Sequence, residues 1–288
     1  MSSTGELSST YRGGVTDPQE LADLALDIAQ EAGALARRRR DVGVAIAATK
    51  SALADIVTDA DREVEQLIRD RIAAARPDDG FFGEESGAEP GASGITWVVD
   101  PIDGTVNYAY GIPHYAVSIA VVSGEPTPAA WTALAAVVHA PPVEETFHAV
   151  RGGGAWHGAR RLAVSAATPA GALLATGFGY DPATHDGDLA RVRRVMPLAR
   201  DIRRAGSAAL DLAYVAAGRL DGYFERGLQP WDHAAGGLLV VEAGGLLGGM
   251  PGGRPGSDMT IAAGRELFPR LEEAVYRPAF MAFPDSPG

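Results

Sequence analysis

The chain has 288 residues, enough for one large domain or two smaller ones, and carries 25 basic against 37 acidic side chains for a net charge of −12. Such a surface does not suit nonspecific binding to nucleic acid, and an acidic enzyme that handles an anion needs local cations from Arg, Lys or metal. There is no cysteine, which excludes disulfides, a thiolate zinc site and a cysteine nucleophile, and fits a cytoplasmic protein.

Residues 1–15, rich in Ser, Thr and Gly, read as a flexible tail with no apolar stretch of signal-peptide type. No apolar run is long enough to span a bilayer. Asp17-Pro18 opens a helix, Asp17 as cap and Pro18 at its first position. Leu21, Leu24, Ala25, Ile28 and Ala32 share one face, and the arginines at 37–40 end the helix, where they favour its dipole. A second helix is predicted over about 61–75, with an apolar stripe of Val64, Leu67, Ile68 and Ile72. Thr58 and Asp61 have capping-box spacing, and Pro77 ends the segment. Phe81-Phe82 is a short strand, and 87–94 reads as a loop.

From Thr96 the pattern turns β-rich, with strands expected over 115–122, 131–139 and 145–150. Gly152-Gly153-Gly154 reads as a hairpin turn, since it lacks the Lys and Ser/Thr of a phosphate loop and no helix pattern follows. Beyond Ser165, helices and strands alternate: a strand at 173–176, a helix at 188–196 stopped by Pro197, a small-residue helix at 207–218, a strand at 220–225 and a helix from Trp231 to Glu242. The two halves read as α+β and then α/β. The expected division is a tail at 1–15, halves at 16–160 and 161–278, and a tail at 279–288.

One segment resists a merely structural account: Trp97-Val98-Val99-Asp100-Pro101-Ile102-Asp103-Gly104-Thr105. Val98 and Val99 read as the end of a buried strand, Pro101 as its stop and Gly104 as a sharp turn. Asp100 and Asp103 are thereby fixed close together, and like charges that close repel unless a cation lies between them. Three more acidic stations stand at element ends: Asp61, Glu84-Glu85 and Asp232. Taken singly, Asp61 reads as a first-turn helix residue, Glu84-Glu85 as a solvated pair and Asp232 as a cap. Oxygen ligands suit Mg²⁺, Ca²⁺ or Mn²⁺, and the six histidines show no zinc spacing.

Taken together the stations resemble the inositol monophosphatase family, the metal-dependent, lithium-sensitive phosphatases, in its bacterial and actinobacterial inositol-1-monophosphatase branch. The matching segments are Gly83-Glu84-Glu85-Ser86, WVVDPIDGTVNY at 97–108 and Trp231-Asp232-His233-Ala234-Ala235-Gly236. KSALADIVTDAD at 50–61 and IRRAGSAALDLAYVAAG at 202–218 extend the likeness, which runs from about residue 20 to 265. It implies a layered αβαβα sandwich, a homodimer, two or three Mg²⁺ ions, inhibition by Li⁺ and a small phosphate monoester as substrate. It further implies that Glu84, Asp100 and the Ile102 carbonyl hold a first Mg²⁺, that Asp100, Asp103 and Asp232 hold a second, and that Glu84 helps hold a third. Asp61 and Thr105 would polarise the attacking water, Gly104 and Thr105 would offer backbone N–H groups to phosphate, and Lys50 would lie on a mobile loop.

The alcohol side of the substrate would meet Glu225, Asp103, Ser207 and Ala208, with inositol 1-phosphate the leading expectation. Histidinol phosphate, fructose 1,6-bisphosphate and 3′-phosphoadenosine 5′-phosphate are the alternatives, and a non-catalytic binding protein is a further one. Asn107-Tyr108 fits the inositol branch, whereas His114 departs from the large apolar residue expected after Pro113. His185, expected in a loop, receives no catalytic role. Arg191, Arg193, Arg194, Arg200, Arg203 and Arg204 read as a dimer interface or a solvated face. Phosphate monoester hydrolysis is among the slowest uncatalysed reactions, with enhancements up to roughly 10²¹-fold. Two cations about 3.5–4 Å apart can both activate water and stabilise the leaving oxygen.

Overall fold

The computed structural model describes residues 17–43, 46–49, 56–166 and 170–277, with 46–49 and 56–58 described by backbone alone. Lys50 and both expected tails lie outside the described residues. The first half contains α1 (Pro18–Val42), the hairpin β1 (Ile46–Thr49) and β2 (Ile56–Thr58), α2 (Asp59–Ala75), β3 (Gly80–Gly83), β4 (Gly87–Glu89), β5 (Ile95–Asp103) and α3 (Thr105–Tyr110). It continues through β6 (Ala116–Ser123), β7 (Thr132–Ala140), β8 (Glu145–Val150), β9 (Gly154–His157) and β10 (Arg160–Arg161). Then come β11 (Ala172–Thr176), α4 (His185–Val195), β12 (Ala199–Arg203), α5 (Ala208–Ala216), β13 (Gly222–Glu225), α6 (Pro230–Glu242), β14 (Leu246–Gly248), β15 (Thr260–Ala263) and α7 (Phe268–Tyr276).

Five layers stack as the family resemblance implies. The helices α1 and α2 cover one face of an eight-stranded sheet of order β10-β9-β8-β7-β6-β5-β3-β4. The helices α5 and α6 fill the space between that sheet and a five-stranded sheet of order β12-β11-β13-β15-β14. The helices α4 and α7 close the outer face of the second sheet. The sequence accounts for each layer. Asp17 caps α1, its carboxylate accepting from the Gln19 N–H at 2.9 Å, and the buried stripe Leu21, Ala25, Ile28, Ala32 and Ala36 faces the sheet. A helix covered on both sides must be apolar all round, and eight consecutive residues of α6, from His233 to Val240, are buried.

The structure departs from the sequence reading at several places. Pro101 does not stop the strand: β5 runs on to Asp103 through a bulge, pairing Asp100 with Ser118 and Asp103 with Ala116. A proline has no N–H for the ladder, and a bulge tolerates that. Within the expected loop, residues 87–89 pair with β3. His185 opens α4 rather than lying in a loop, its Nε2 2.8 Å from the Gly179 carbonyl. The strands β10 and β12 escape periodicity because they are sheet edges, where exposed arginines discourage pairing with another chain.

Candidate active site

The strands β3 and β5 lie side by side and parallel. Their carboxyl ends therefore deliver Glu84 and the Asp100–Asp103 bulge to the same edge, where ligand sites of α/β sheets gather. The bulge is self-braced, the Ile102 N–H donating to Asp100 Oδ1 at 3.0 Å. Asp103 Oδ2 accepts from Ser207 Oγ at 2.5 Å and from the Ala209 N–H at 2.7 Å, both at the start of α5. Asp232 enters from the first turn of α6, where its Oδ2 accepts from the Gln229 N–H at 2.6 Å. It therefore caps its helix and faces the cluster as well. The start of α6 is seated by Ser118 Oγ donating to the Trp231 carbonyl at 3.2 Å and by Phe82 edge-on to Trp231, centroids 5.4 Å apart.

Asp100, Asp103 and Asp232 each present an oxygen within 4.8 Å of the other two. Burial, followed by the charges of Glu84 and Asp103, pushes the Asp100 carboxyl well above its usual range, and Glu84 and Asp100 share a hydrogen bond. Burial also raises Asp232, with Asp103 and Glu84 next in effect. Burial lifts Asp103 to about 6, while the bonds from Ser207 and Ala209 pull it back. Crowded carboxylates of this kind are stabilised by a cation, and an all-oxygen donor set with a carbonyl nearby fits a hard ion such as Mg²⁺. The residues present therefore fit a metal centre.

A second group borders the cluster. Thr105 Oγ1 lies 3.4 Å from Asp61 Oδ1 and 3.1 Å from the Ile102 carbonyl. Gly104 sets that approach. It has φ +96°, and a Cβ there would meet the carbonyls of His114 at 3.0 Å and Gly206 at 3.1 Å, so no other residue fits without strain. Glu65 was not anticipated. Its Oε2 accepts from the Glu85 N–H at 2.9 Å, and a Cβ at Gly83 would come within 2.3 Å of that oxygen. The signal in the sequence is that Asp61, Glu65, Ile68 and Ile72 share one face of α2, and all four are buried. Two acids in an apolar stripe need partners.

At the end of β13, Glu225 accepts from Tyr223 Oη at 2.5 Å. Gly177 makes room for it, since a Cβ there would lie 2.1 Å from its carboxylate oxygens. Burial pushes Glu225 up to about 7, opposed by Tyr223 and by the charge of Arg204. Asp211, two per cent exposed on α5, is pushed up by burial and then by Glu225 and Asp103. Ser207, the cap of α5, and Ala208 lie between this carboxylate and Asp103 in the chain path. Asn107 ties α3 to the segment before α5, its Nδ2 donating to the carbonyls of His114 at 2.8 Å and Ala205 at 2.9 Å.

The family description "Inositol monophosphatase family" matches residues 17–277. The chain belongs to the inositol monophosphatase family. It is 44% identical over 231 residues to the inositol-1-monophosphatase of Rhizobium meliloti, covering 78% of this chain and 84% of that protein. It is 41% identical over 237 residues to the Nus factor SuhB of Escherichia coli K12, covering 81% of this chain and 86% of that one. The solved extragenic suppressor protein suhB of Bartonella henselae superposes with a TM-score of 0.83 at 38% identity, covering 90% of this chain and 99% of that chain. Mycobacterium tuberculosis SuhB does so with a TM-score of 0.76 at 38% identity, covering 91% and 98%.

Inositol monophosphatases are metal-dependent phosphatases, and this member carries the acidic cluster such an enzyme needs. The arginines read as one basic cluster disperse. Arg191 pairs with Asp188, Arg203 pairs with Asp201, and Arg194 donates to the carbonyls of Ala274 and Val275. Arg204 alone of that group acts on Glu225 and Asp211. Among the described residues no helix is long and apolar enough to cross a membrane.

Proposed function

We propose that this chain is a Mg²⁺-dependent phosphomonoesterase that hydrolyses inositol 1-phosphate to inositol and phosphate. The observation that carries the reading is the meeting of Asp100, Asp103 and Asp232 from separate elements, with Glu84 beside them and Glu225 at the neighbouring strand end. Glu84, Asp100 and the Ile102 carbonyl would hold one ion, and Asp100, Asp103 and Asp232 a second, with Glu84 contributing to a weaker third. Bound there, the ions supply charge neutralisation and ease deprotonation of water.

The remaining work belongs to the chain itself. Asp61 and Thr105, 3.4 Å apart, orient a water for in-line attack on phosphorus. The backbone N–H groups of Gly104 and Thr105 face the phosphate oxygens. The P–O bond to the alcohol breaks, the alcohol oxygen takes a proton, and inorganic phosphate remains. Asp103, Ser207, Ala208 and Glu225 receive the ring, with the Glu225 carboxylate accepting from ring hydroxyls.

Phosphate release is to be measured from inositol 1-phosphate, histidinol phosphate, fructose 1,6-bisphosphate and 3′-phosphoadenosine 5′-phosphate. Each is assayed with Mg²⁺, with Mg²⁺ plus Li⁺, and with EDTA. Release led by inositol 1-phosphate, dependent on Mg²⁺ and inhibited by Li⁺, is expected. Preference for another member of the panel moves the specificity and keeps the chemistry. No release from any of the four overturns the proposal and favours a binding role, the reading suggested by the relative named as a Nus factor.

A further inference from the structure

Outside that cluster, a crevice of about 180 Å³ opens between α6, the approach to β7, the β8–β9 turn and the β14–β15 loop. Trp131, Arg151, His233, Val241 and Arg254 border it. His233 is one per cent exposed, and its Nε2 is buried without a hydrogen-bond partner. A buried polar atom left unpaired is unusual enough in a native fold to call for a partner. Trp131 stands beside His233, ring centroids 6.2 Å apart at a tilt of 49°.

Both arginines are held by backbone. Arg151 Nε donates to the Ala133 carbonyl at 2.6 Å, and Arg254 Nη1 donates to the Trp131 carbonyl at 3.0 Å. A guanidinium has five N–H donors, so each keeps most of its donors. Among the described residues their hydrogen bonds go to backbone carbonyls. Glu242, on α6, instead accepts from the Gly152 and Gly154 N–H groups at 2.9 and 3.0 Å. On a chain of net charge −12, two guanidinium groups border this apolar crevice and no carboxylate lines it.

We propose that this crevice binds a small carboxylic acid with a compact apolar body. The carboxylate bridges the free N–H donors of Arg151 and Arg254, a geometry that guanidinium groups match well. The body packs against Trp131 and Val241, over the buried His233 ring. A crevice of this size takes a compact body such as that of benzoate or a branched five-carbon acid.

The test is calorimetric titration of the full chain with benzoate and 3-methylbutanoate, with benzamide as the neutral counterpart. Saturable binding of at least one acid is expected, at least tenfold weaker for benzamide and for each of Arg151→Gln and Arg254→Gln. His233→Phe should fill the crevice and abolish binding while leaving the thermal melt in place. If that variant fails to fold, the two arginine variants decide. Asp103→Asn should bind the acids as the wild type does, because the crevice is separate from the carboxylate cluster. No saturable binding of either acid, equal affinity for benzamide, or loss of binding in Asp103→Asn each overturns the proposal.

Discussion

Replacing Asp103 by Asn separates what the carboxylate costs the fold from what it does for a cation. Its pKa rises from 3.8 to about 6 on folding, chiefly through burial. A carboxyl whose folded pKa lies above its unfolded value favours the protonated fold. Stability therefore falls as pH rises from 3.8 to about 6, and above that the whole penalty is present. Two units at 1.36 kcal/mol each amount to about 3 kcal/mol. Asparagine is neutral at every pH and keeps an oxygen for the Ser207 or Ala209 donor, so it removes most of that penalty. In EDTA at pH 7.5, Asp103→Asn is expected to raise the unfolding free energy by about 2–3 kcal/mol, with Tm up by several degrees. At pH 4 the difference should nearly vanish. Added Mg²⁺ should close that gap. At 100-fold above its Kd a cation stabilises the fold that binds it by about 2.7 kcal/mol, and the variant should lose most of that gain together with turnover. Urea or thermal melts at the two pH values, with EDTA and with Mg²⁺, check all of this. A variant less stable than wild type in EDTA, or one that keeps both the Mg²⁺ stabilisation and the turnover, refutes the assignment of Asp103 to the cation.

Four further outcomes are expected. Glu225→Ala should raise KM for inositol 1-phosphate far more than for an aryl phosphate. Because Glu225 titrates at about 7, the preference for the polyol ester should grow as pH rises through that value, and steady-state kinetics with both esters between pH 6 and 8 reads it. Gly177→Ala should reproduce the Glu225→Ala pattern with the glutamate intact, since its Cβ would sit 2.1 Å from the carboxylate oxygens and drive them aside. An unchanged KM ratio would show that Glu225 does not meet the ring. Asn107→Ala leaves the carbonyls of His114 and Ala205 without their buried donor. It should cost about 2–3 kcal/mol in a urea melt.

The residues legible in the sequence are those whose chemistry is compressed into a few positions. Asp100, Pro101, Asp103 and Gly104 are adjacent, and two carboxylates beside a turn-forming glycine already imply a charge problem that a cation solves. The helices α1, α2, α5 and α6 were legible for a similar reason, since one apolar stripe or an all-apolar run decides each of them. What stayed hidden depends on partners far along the chain. Gly177 is unremarkable until Glu225 is seen to occupy the space its side chain would take, 48 residues later. Asn107 looked like a family marker, whereas its bonds to His114 and Ala205 reveal a clasp between α3 and the segment before α5.

Glu65 stands between these cases, and it shows how far pattern alone could have gone. In the sequence, Val64, Leu67, Ile68 and Ile72 form the stripe on α2, and Asp61 stands apart as a site residue. A helix repeats a face every three or four residues, so Glu65 falls directly below Asp61 and above Ile68. An acid there is either solvated, and the stripe misplaced, or buried with a partner. Its carboxylate holds the Glu85 N–H at 2.9 Å. That bond, together with the Glu84 N–H donating to the Val99 carbonyl at 3.2 Å, holds the turn that carries Glu84 towards Asp100. The acidic cluster is thus braced by amides on both levels: Asp100, Asp103 and Asp232 each accept a backbone N–H with one oxygen, and Glu65 behind them holds the turn beside Glu84.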